Sequence, residues 1–560
     1  MRGKTARRTI VLASVAALAL AAAGCASSER DQGSGGGGTG ASSKDTLVFG
    51  AAGEPKLFDP AFASDGETFR VLKQIYEGLV RTKQGSAEIE PALATKWEGD
   101  SSGTKWTFTL REGVKFHDGT DFNADAVCYN FNRWYNFKGV LQNPDVSAYW
   151  QDTFGGFAKN ETADQPPSLF KSCEATNPTT AVLTIANATG RIPAALALPA
   201  FAIQSPEALK KYDADNVKQS GDTFEYPAYA TEHPTGTGPY KLESRDRAAN
   251  TVTIVRNADY WGDKAKINKI IFKVIPDNNT RKQEIQSGGI DGYDLVAPGD
   301  ISSLKSGGDQ VLDRPPFNIL YLGINQKNPQ LAKPAVRQAL AYAINREALI
   351  KAKFPPAAQV AKEFMPPEVS GYADDVTAYP YDLNKAKSLL ASAGASNLNL
   401  KFYWPTEVVR PYMPNPKEIF EVIKADLEKA GIKITPVSKV WNSGYLTDVQ
   451  TGKADIHLLG WTGDYNDAYN FDGTFFGRNK PEFGFTNKAL FDAIAKADAT
   501  PDATTRAEAY KAVNRQIMDF LPAIPISHSP PSVALQANVK DFVPSPVLND
   551  EFALVYTEGQ

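Results

Sequence analysis

Leu400-Lys-Phe-Tyr-Trp404, Arg410-Pro-Tyr-Met-Pro-Asn-Pro416 and Gly460-Trp-Thr-Gly-Asp-Tyr-Asn-Asp467 are the stretches on which the reading of this chain turns. The first has the pattern of a strand. The second is a loop stiffened by Pro411, Pro414 and Pro416. Asn415 and Glu418 then stand at capping-box spacing, with Pro416 at the first helical position. Ile419, Ile423 and Leu427 give the helix its apolar stripe, and Gly431 ends it. Residues 432–437 and 454–459 read as strands, and the second runs into the polar and aromatic loop 460–467. Strand, helix, strand, strand is the pattern of an open α/β sheet, in which ligands bind outside the carboxyl ends of strands. Both loops occupy such positions.

Outward from this segment the same alternation continues. Residues 46–50 read as a short strand and 68–79 as a helix, with Phe69, Leu72, Ile75 and Leu79 at helical spacing. Residues 105–110 alternate like a half-buried strand, Asp118-Gly119 makes a turn, and Asn123 can cap a helix carrying Val127, Phe131 and Trp134. Residues 144–177 read as an irregular surface excursion. Strands are expected at 180–185, 251–255, 269–275 and 319–324. A helix is expected at 334–344, with Val336, Leu340 and Ile344 on one face.

The N-terminus indicates export. Arg2, Lys4, Arg7 and Arg8 precede a short apolar run over 10–23, which ends at Ala22-Ala23-Gly24-Cys25. That is a cleavable signal of the lipoprotein kind, with Cys25 as the lipidated residue and 1–25 as the signal peptide. Ala22 stands where such signals usually carry Leu, and Arg7-Arg8 also permits a twin-arginine route. Residues 26–44, rich in Gly and Ser, form a flexible tether. The expected location is the outer face of the cell membrane or the periplasm. Of the three cysteines, Cys128 and Cys173 remain. In an oxidising compartment a disulfide between them is expected, the other reading being two separate buried thiols.

A formal net charge of -4 gives no basic face for nucleic acid. His117, His233, His457 and His528 lie at no zinc-ligand spacing, and no HExxH, CxxC, GxSxG or P-loop occurs. Neither a cofactor nor a metal is expected, and no catalytic residue is assigned.

Four further stretches, taken in order, resemble one family. They are Trp106-Thr-Phe-Thr-Leu-Arg-Glu-Gly-Val-Lys-Phe-His-Asp-Gly-Thr120; Gly236-Thr-Gly-Pro-Tyr240 with Arg256-Asn-Ala-Asp-Tyr-Trp-Gly262; Val336-Arg-Gln-Ala-Leu-Ala-Tyr-Ala-Ile344; and Gly460-Trp-Thr-Gly-Asp464. They are similar to the peptide and nickel class of ABC-importer solute-binding proteins, family 5, nearest its dipeptide-binding members. The resemblance implies a type II periplasmic-binding-protein-like α/β fold, two lobes closing on a cleft, with an additional inserted domain. On this chain lobe I would comprise 45–80, 230–310 and 525–560, the additional domain 81–229, and lobe II 311–524. The first three motifs are then architectural, and His117-Asp118-Gly119 is a turn.

A short peptide is a zwitterion, and an unpaired charge in a closed cleft costs several kcal/mol. The cleft therefore needs one carboxylate and one guanidinium, whose fork suits a carboxylate. The resemblance assigns Asp464 to the ligand's α-amino group and Arg410 to its α-carboxylate, which favours dipeptides. The other readings are a loop-capping carboxylate for Asp464 and a surface ion pair for Arg410. Trp461, Tyr465, Trp441 and Trp404 are candidates for pocket walls or for core packing. Tyr465-Asn-Asp-Ala-Tyr469 lacks the proline usual in dipeptide-binding members, so the preferred side chains are left open. The expected partners are a short peptide and the permease subunits of an importer, with the chain a monomer. A nickel chelate, haem, an opine or an oligosaccharide would be a rival ligand. A secreted peptide hydrolase is the rival from another class.

Overall fold

The computed structural model describes residues 45–558 except 164 and 222. The signal, Cys25 and the tether lie outside the described residues. Among the described residues no helix is long and apolar enough to cross a membrane.

Three sheets organise the chain. The first has seven strands, in the spatial order Tyr240–Asp246, Thr251–Arg256, Lys269–Val274, Thr46–Ala51, Gly292–Asp294, Ser532–Leu535 and Gln310–Asp313. The second has six: Gln359–Val360, Ala523–His528, Asn318–Ile324, Ile456–Thr462, Asn399–Thr406 and Lys433–Val440. A four-stranded antiparallel sheet is built from Ala94–Gly99, Lys105–Leu110, Thr180–Ile185 and Phe170–Asn177. Gln310–Asp313 pairs with Ser532–Leu535 in the first sheet, and Ala523–His528 pairs with Asn318–Ile324 in the second. The chain therefore crosses between the two large sheets at 314–317 and 529–531.

The apolar stripes read from the sequence are buried where they meet these sheets. Ile419, Ile423 and Leu427 of helix Pro416–Lys429 and Val336 and Leu340 of helix Pro334–Ala343 share one core with Leu322, Phe402 and Leu458 of the six-stranded sheet. Each such side chain removed from water contributes about 1.5–3 kcal/mol. The seven- and four-stranded sheets share a second core, which contains Phe49, Phe272, Trp134, Phe170 and Phe552. Beside the first crossing, Arg314 and Arg70 are buried against Asp294 and Asp550. Arg314 donates to Asp550 at 2.7 Å and Arg70 to Asp294 at 2.7 Å. These pairs tie the crossing to helix Gly66–Ile75 and to the C-terminal segment.

Two expectations fail. The helix expected over 68–79 runs Gly66–Ile75, because Gly238 N–H takes the Ile75 carbonyl at 2.9 Å. Further on, the carbonyls of Glu77, Gly78 and Leu79 accept from Ile203, Leu93 and Ala94. Residues 144–177 are not irregular throughout. They hold helix Ala148–Phe154 and strand Phe170–Asn177, which pairs with Thr180–Ile185. Cys128 and Cys173 are joined by a disulfide, Cα to Cα 5.1 Å, linking helix Ala124–Tyr135 to that strand.

Candidate functional site

Asn399–Thr406 runs parallel to both Lys433–Val440 and Ile456–Thr462. Their carboxyl ends therefore point the same way, and three loops leave from that end: the one carrying Arg410, the one starting at Trp441 and the one carrying Asp464. This is where ligands bind in open α/β sheets. The crossing at 314–317 borders the site, since Gly463 N–H donates to Phe317 O at 2.8 Å.

The loop of Arg410 packs on the strand that leads to Asp464. Arg410 and Met413 exchange backbone hydrogen bonds at 3.2 and 2.9 Å, closing a tight turn around Pro411 and Tyr412. The Tyr412 ring lies over Gly460, where a Cβ would stand 2.4 Å from Tyr412 Cδ2 and 2.3 Å from Ile319 O. A Cβ at Gly463 would fall 2.3 Å from the Phe317 ring. Both glycines are therefore dictated by close approach. Behind the turn, Asn415 caps helix Pro416–Lys429 by accepting from Glu418 N–H at 3.2 Å. The capping box is modified: the Asn415 amide itself donates to Glu418 Oε1 at 2.8 Å, and Lys353 binds Glu418 Oε2 at 2.7 Å.

Asp464 is half-buried. Its Oδ1 accepts from the Tyr149 hydroxyl at 3.0 Å and its Oδ2 from Asn470 Nδ2 at 3.4 Å. The Asn470 carbonyl oxygen accepts from Asp464 N–H at 2.8 Å and from Trp461 Nε1 at 3.2 Å. The carboxylate thus does not cap its own loop; the Asn470 amide does. Among the described residues no Lys, Arg or His forms an ion pair with Asp464. Burial raises its pKa to about 7, opposed by the Tyr149 and Asn470 hydrogen bonds and reinforced by Asp152.

Arg410 is half-buried too, its guanidinium centre 4.6 Å over the Trp441 ring. Among the described residues it has no carboxylate partner and no side-chain hydrogen bond. This sets it apart, because the buried arginines elsewhere end on carboxylates or carbonyls. Arg133 reaches Asp59 at 2.8 Å, Arg337 the Phe520 carbonyl at 2.8 Å and Arg281 the Pro276 carbonyl at 2.9 Å.

The four aromatic candidates are placed differently. Trp441 is buried between Arg410 and Tyr445, on which it stacks at 5.8 Å. Trp404, half-buried, stacks on Phe420 at 5.2 Å. Trp461 is braced by Asn470 and meets Phe475 edge-on at 6.3 Å. Tyr465 is buried in the core shared by the seven- and four-stranded sheets, so its ring bridges the two halves of the molecule. Sequence reasoning missed Tyr149, on helix Ala148–Phe154, and Asn470. Among the described residues no group of three or more His, Cys, Asp or Glu is arranged to hold a metal ion.

Two lobes, an added four-stranded domain and a site at the strand ends beside the crossings define an extracellular solute-binding protein. Residues 88–482 match the family described as bacterial extracellular solute-binding proteins, family 5 (middle), and the chain belongs to it. It is 32% identical over 528 residues to the dipeptide-binding protein of Escherichia coli, covering 92% of this chain and 95% of that one. It is 31% identical over 532 residues to heme-binding protein A of Haemophilus influenzae, covering 93% and 94%. A dipeptide-binding protein from Pseudoalteromonas sp. SM9913, solved with Met-Leu, superposes with a TM-score of 0.75 at 26% identity, covering 92% of this chain and all of that one. The family is one of binding proteins rather than enzymes.

Proposed function

We propose that this chain captures short peptides, dipeptides above all, for an ABC importer. The ligand's ammonium group meets Asp464, its carboxylate meets Arg410, and the lobes close over both. One observation carries the reading: a half-buried carboxylate and a half-buried guanidinium, on loops that leave the same end of one sheet, each without a counter-charge among the described residues. A zwitterion supplies both missing charges, and a neutral sugar supplies neither. The relatives named for dipeptides support the same reading. Cys25 as a lipid anchor, residues 26–44 as its tether, the lobe assignment given above and a monomeric state complete the proposal.

Calorimetry of the mature protein against a dipeptide library tests it. Wild type is expected to bind, and Asp464→Ala and Arg410→Ala are each expected to bind far more weakly. Wild-type affinity in both variants refutes the pairing. The resemblance to heme-binding protein A makes haem the second reading, and a shifted Soret band on titration with haem would favour it.

A further inference from the structure

The loop that carries Asp464 is gripped from outside the ligand site. Arg506, in helix Ala503–Phe520, donates to Asp467 Oδ1 at 2.6 Å and to Asp498 Oδ1 at 3.2 Å. Asp498 ends helix Lys488–Asp498 of the same lobe. The loop after strand Thr180–Ile185, from the four-stranded domain, completes the set. There Arg191 pairs through Nη1 with Asp498 Oδ2, and the Thr189 hydroxyl donates to Asp498 Oδ1 at 3.0 Å. Arg191 Nη2 also donates to Thr153 O at 3.3 Å, and its guanidinium centre lies 4.0 Å over the Tyr469 ring.

Arg191, Asp498, Arg506 and Asp467 thus alternate in charge, and their side chains are 8%, 15%, 8% and 11% exposed. The row begins on the four-stranded domain and ends three residues from Asp464. An ion pair within one lobe is made whether the cleft is open or shut. The Arg191–Asp498 pair is different, because on the proposed lobe assignment its partners belong to bodies on opposite sides of the cleft. When the cleft opens, both can regain water. When it is closed, removing Asp498 strands Arg191 without a counter-charge, and removing Arg191 leaves Asp498 to Arg506 alone. Its energy therefore bears on the balance between the two states.

We infer that Arg191 is a positioning residue for ligand capture: it pairs with Asp498 across the cleft and covers Tyr469, holding the Asp464 loop and the closed lobes together without touching ligand. The inference rests on the chain being a receptor that closes on its solute. The same helix pair supports it from behind, since Arg506 joins Asp467 and Asp498 into one rigid group.

The test uses the mature chain with Arg191→Gln, Asp498→Asn and Arg191→Lys, each checked for folding by circular dichroism. The probe is L-alanyl-L-phenylalanine. In Arg191→Gln and Asp498→Asn the dipeptide should leave roughly ten- to a hundredfold faster, with association little changed. The ligand-free radius of gyration from small-angle scattering should rise in both. Arg191→Lys keeps the charge and should recover part of the slow dissociation, which a packing role would not predict. A wild-type dissociation rate with an unchanged radius of gyration, in either folded variant, overturns the inference. If wild type binds no dipeptide, the peptide reading fails, and the radius of gyration alone decides on Arg191.

Discussion

On the proposed pairing, Asp464 makes peptide capture depend on pH in a way that can be worked out beforehand. Burial holds its carboxyl near a pKa of about 7 in the ligand-free protein. An ammonium group is attracted only to the carboxylate. Below pH 7 the site must release a proton before it can bind, so affinity falls about tenfold, or about 1.4 kcal/mol, for each further pH unit. At pH 5 the loss is about a hundredfold, or about 2.7 kcal/mol. Above pH 8 the peptide's own amine, with a pKa of about 8, begins to lose its charge, and affinity falls again. The optimum is therefore narrow. The stability of the empty protein runs the other way. The folded pKa lies above the unfolded value of about 4, so the contribution is full below pH 4 and is lost as pH rises through 7. Calorimetry with L-alanyl-L-phenylalanine from pH 5 to 9, in buffers of different ionisation enthalpy, measures both the affinity and the proton released. Asp464→Asn should lose about 2–5 kcal/mol of affinity at pH 7.5, and with it the acid limb. A flat affinity between pH 5 and 7 in wild type, or an acid limb that survives in Asp464→Asn, refutes the reasoning.

Three further outcomes follow from the packing. Glu363 is fully buried, and burial, then Asp472, pushes its carboxyl up to about 9. Its stabilising contribution is full at acid pH and is lost as pH rises toward 9. Glu363→Gln keeps an acceptor for Ala373 N–H, now 3.0 Å from Oε1. Calorimetric melting should find the variant equal to wild type at pH 5 and more stable at pH 8.5, by roughly 4–5 kcal/mol at about 1.4 kcal/mol per pH unit. Gly460→Ala drives a methyl against the Ile319 carbonyl and the Tyr412 ring, so urea unfolding should show a loss of about 1–3 kcal/mol. The Arg410 turn moves with Tyr412, so dipeptide affinity should fall as well. Cys128→Ser with Cys173→Ser opens a loop of 45 residues and should cost about 2–4 kcal/mol in the same assay. That change lies on the four-stranded domain and should leave dipeptide affinity near wild type.

Much of the lobe carrying Asp464 was legible because it is built from local signals. Asn415, Pro416 and the stripe Ile419, Ile423 and Leu427 fix one helix from within its own residues, and that helix runs Pro416–Lys429. The strands beside it are apolar runs with polar loops at their ends. The loops that carry Arg410 and Asp464 stood out for the same reason, as polar stretches just past strands; the two residues themselves were singled out by the family resemblance. That the Arg410 loop packs on the strand leading to Asp464 was not legible. The contact of Tyr412 with Gly460 depends on the register Tyr403 to His457, which no local pattern sets.

The parts that could not be read share a cause, which is dependence on distant chain. Tyr149 lies 315 residues before Asp464, in a helix of seven residues flanked by Pro144 and Gly155-Gly156, which read as loop. A helix that short does not stand on its own propensity. Trp150 and Phe154 hold it in place by packing on Phe170 and Phe201. Tyr465 gave a similar signal to Trp461, an aromatic in a polar loop, yet it is buried in the core shared by the other two sheets. The loop after Ile456–Thr462 therefore does two jobs. Asp464 faces the need for a counter-charge, while Tyr465, Asp467 and Tyr469 bind it to the rest of the molecule. Recognition and closure are then not separable by position in this loop. Residues 465–469 answer to the surfaces they pack on and, on the proposed function, to the ligand as well.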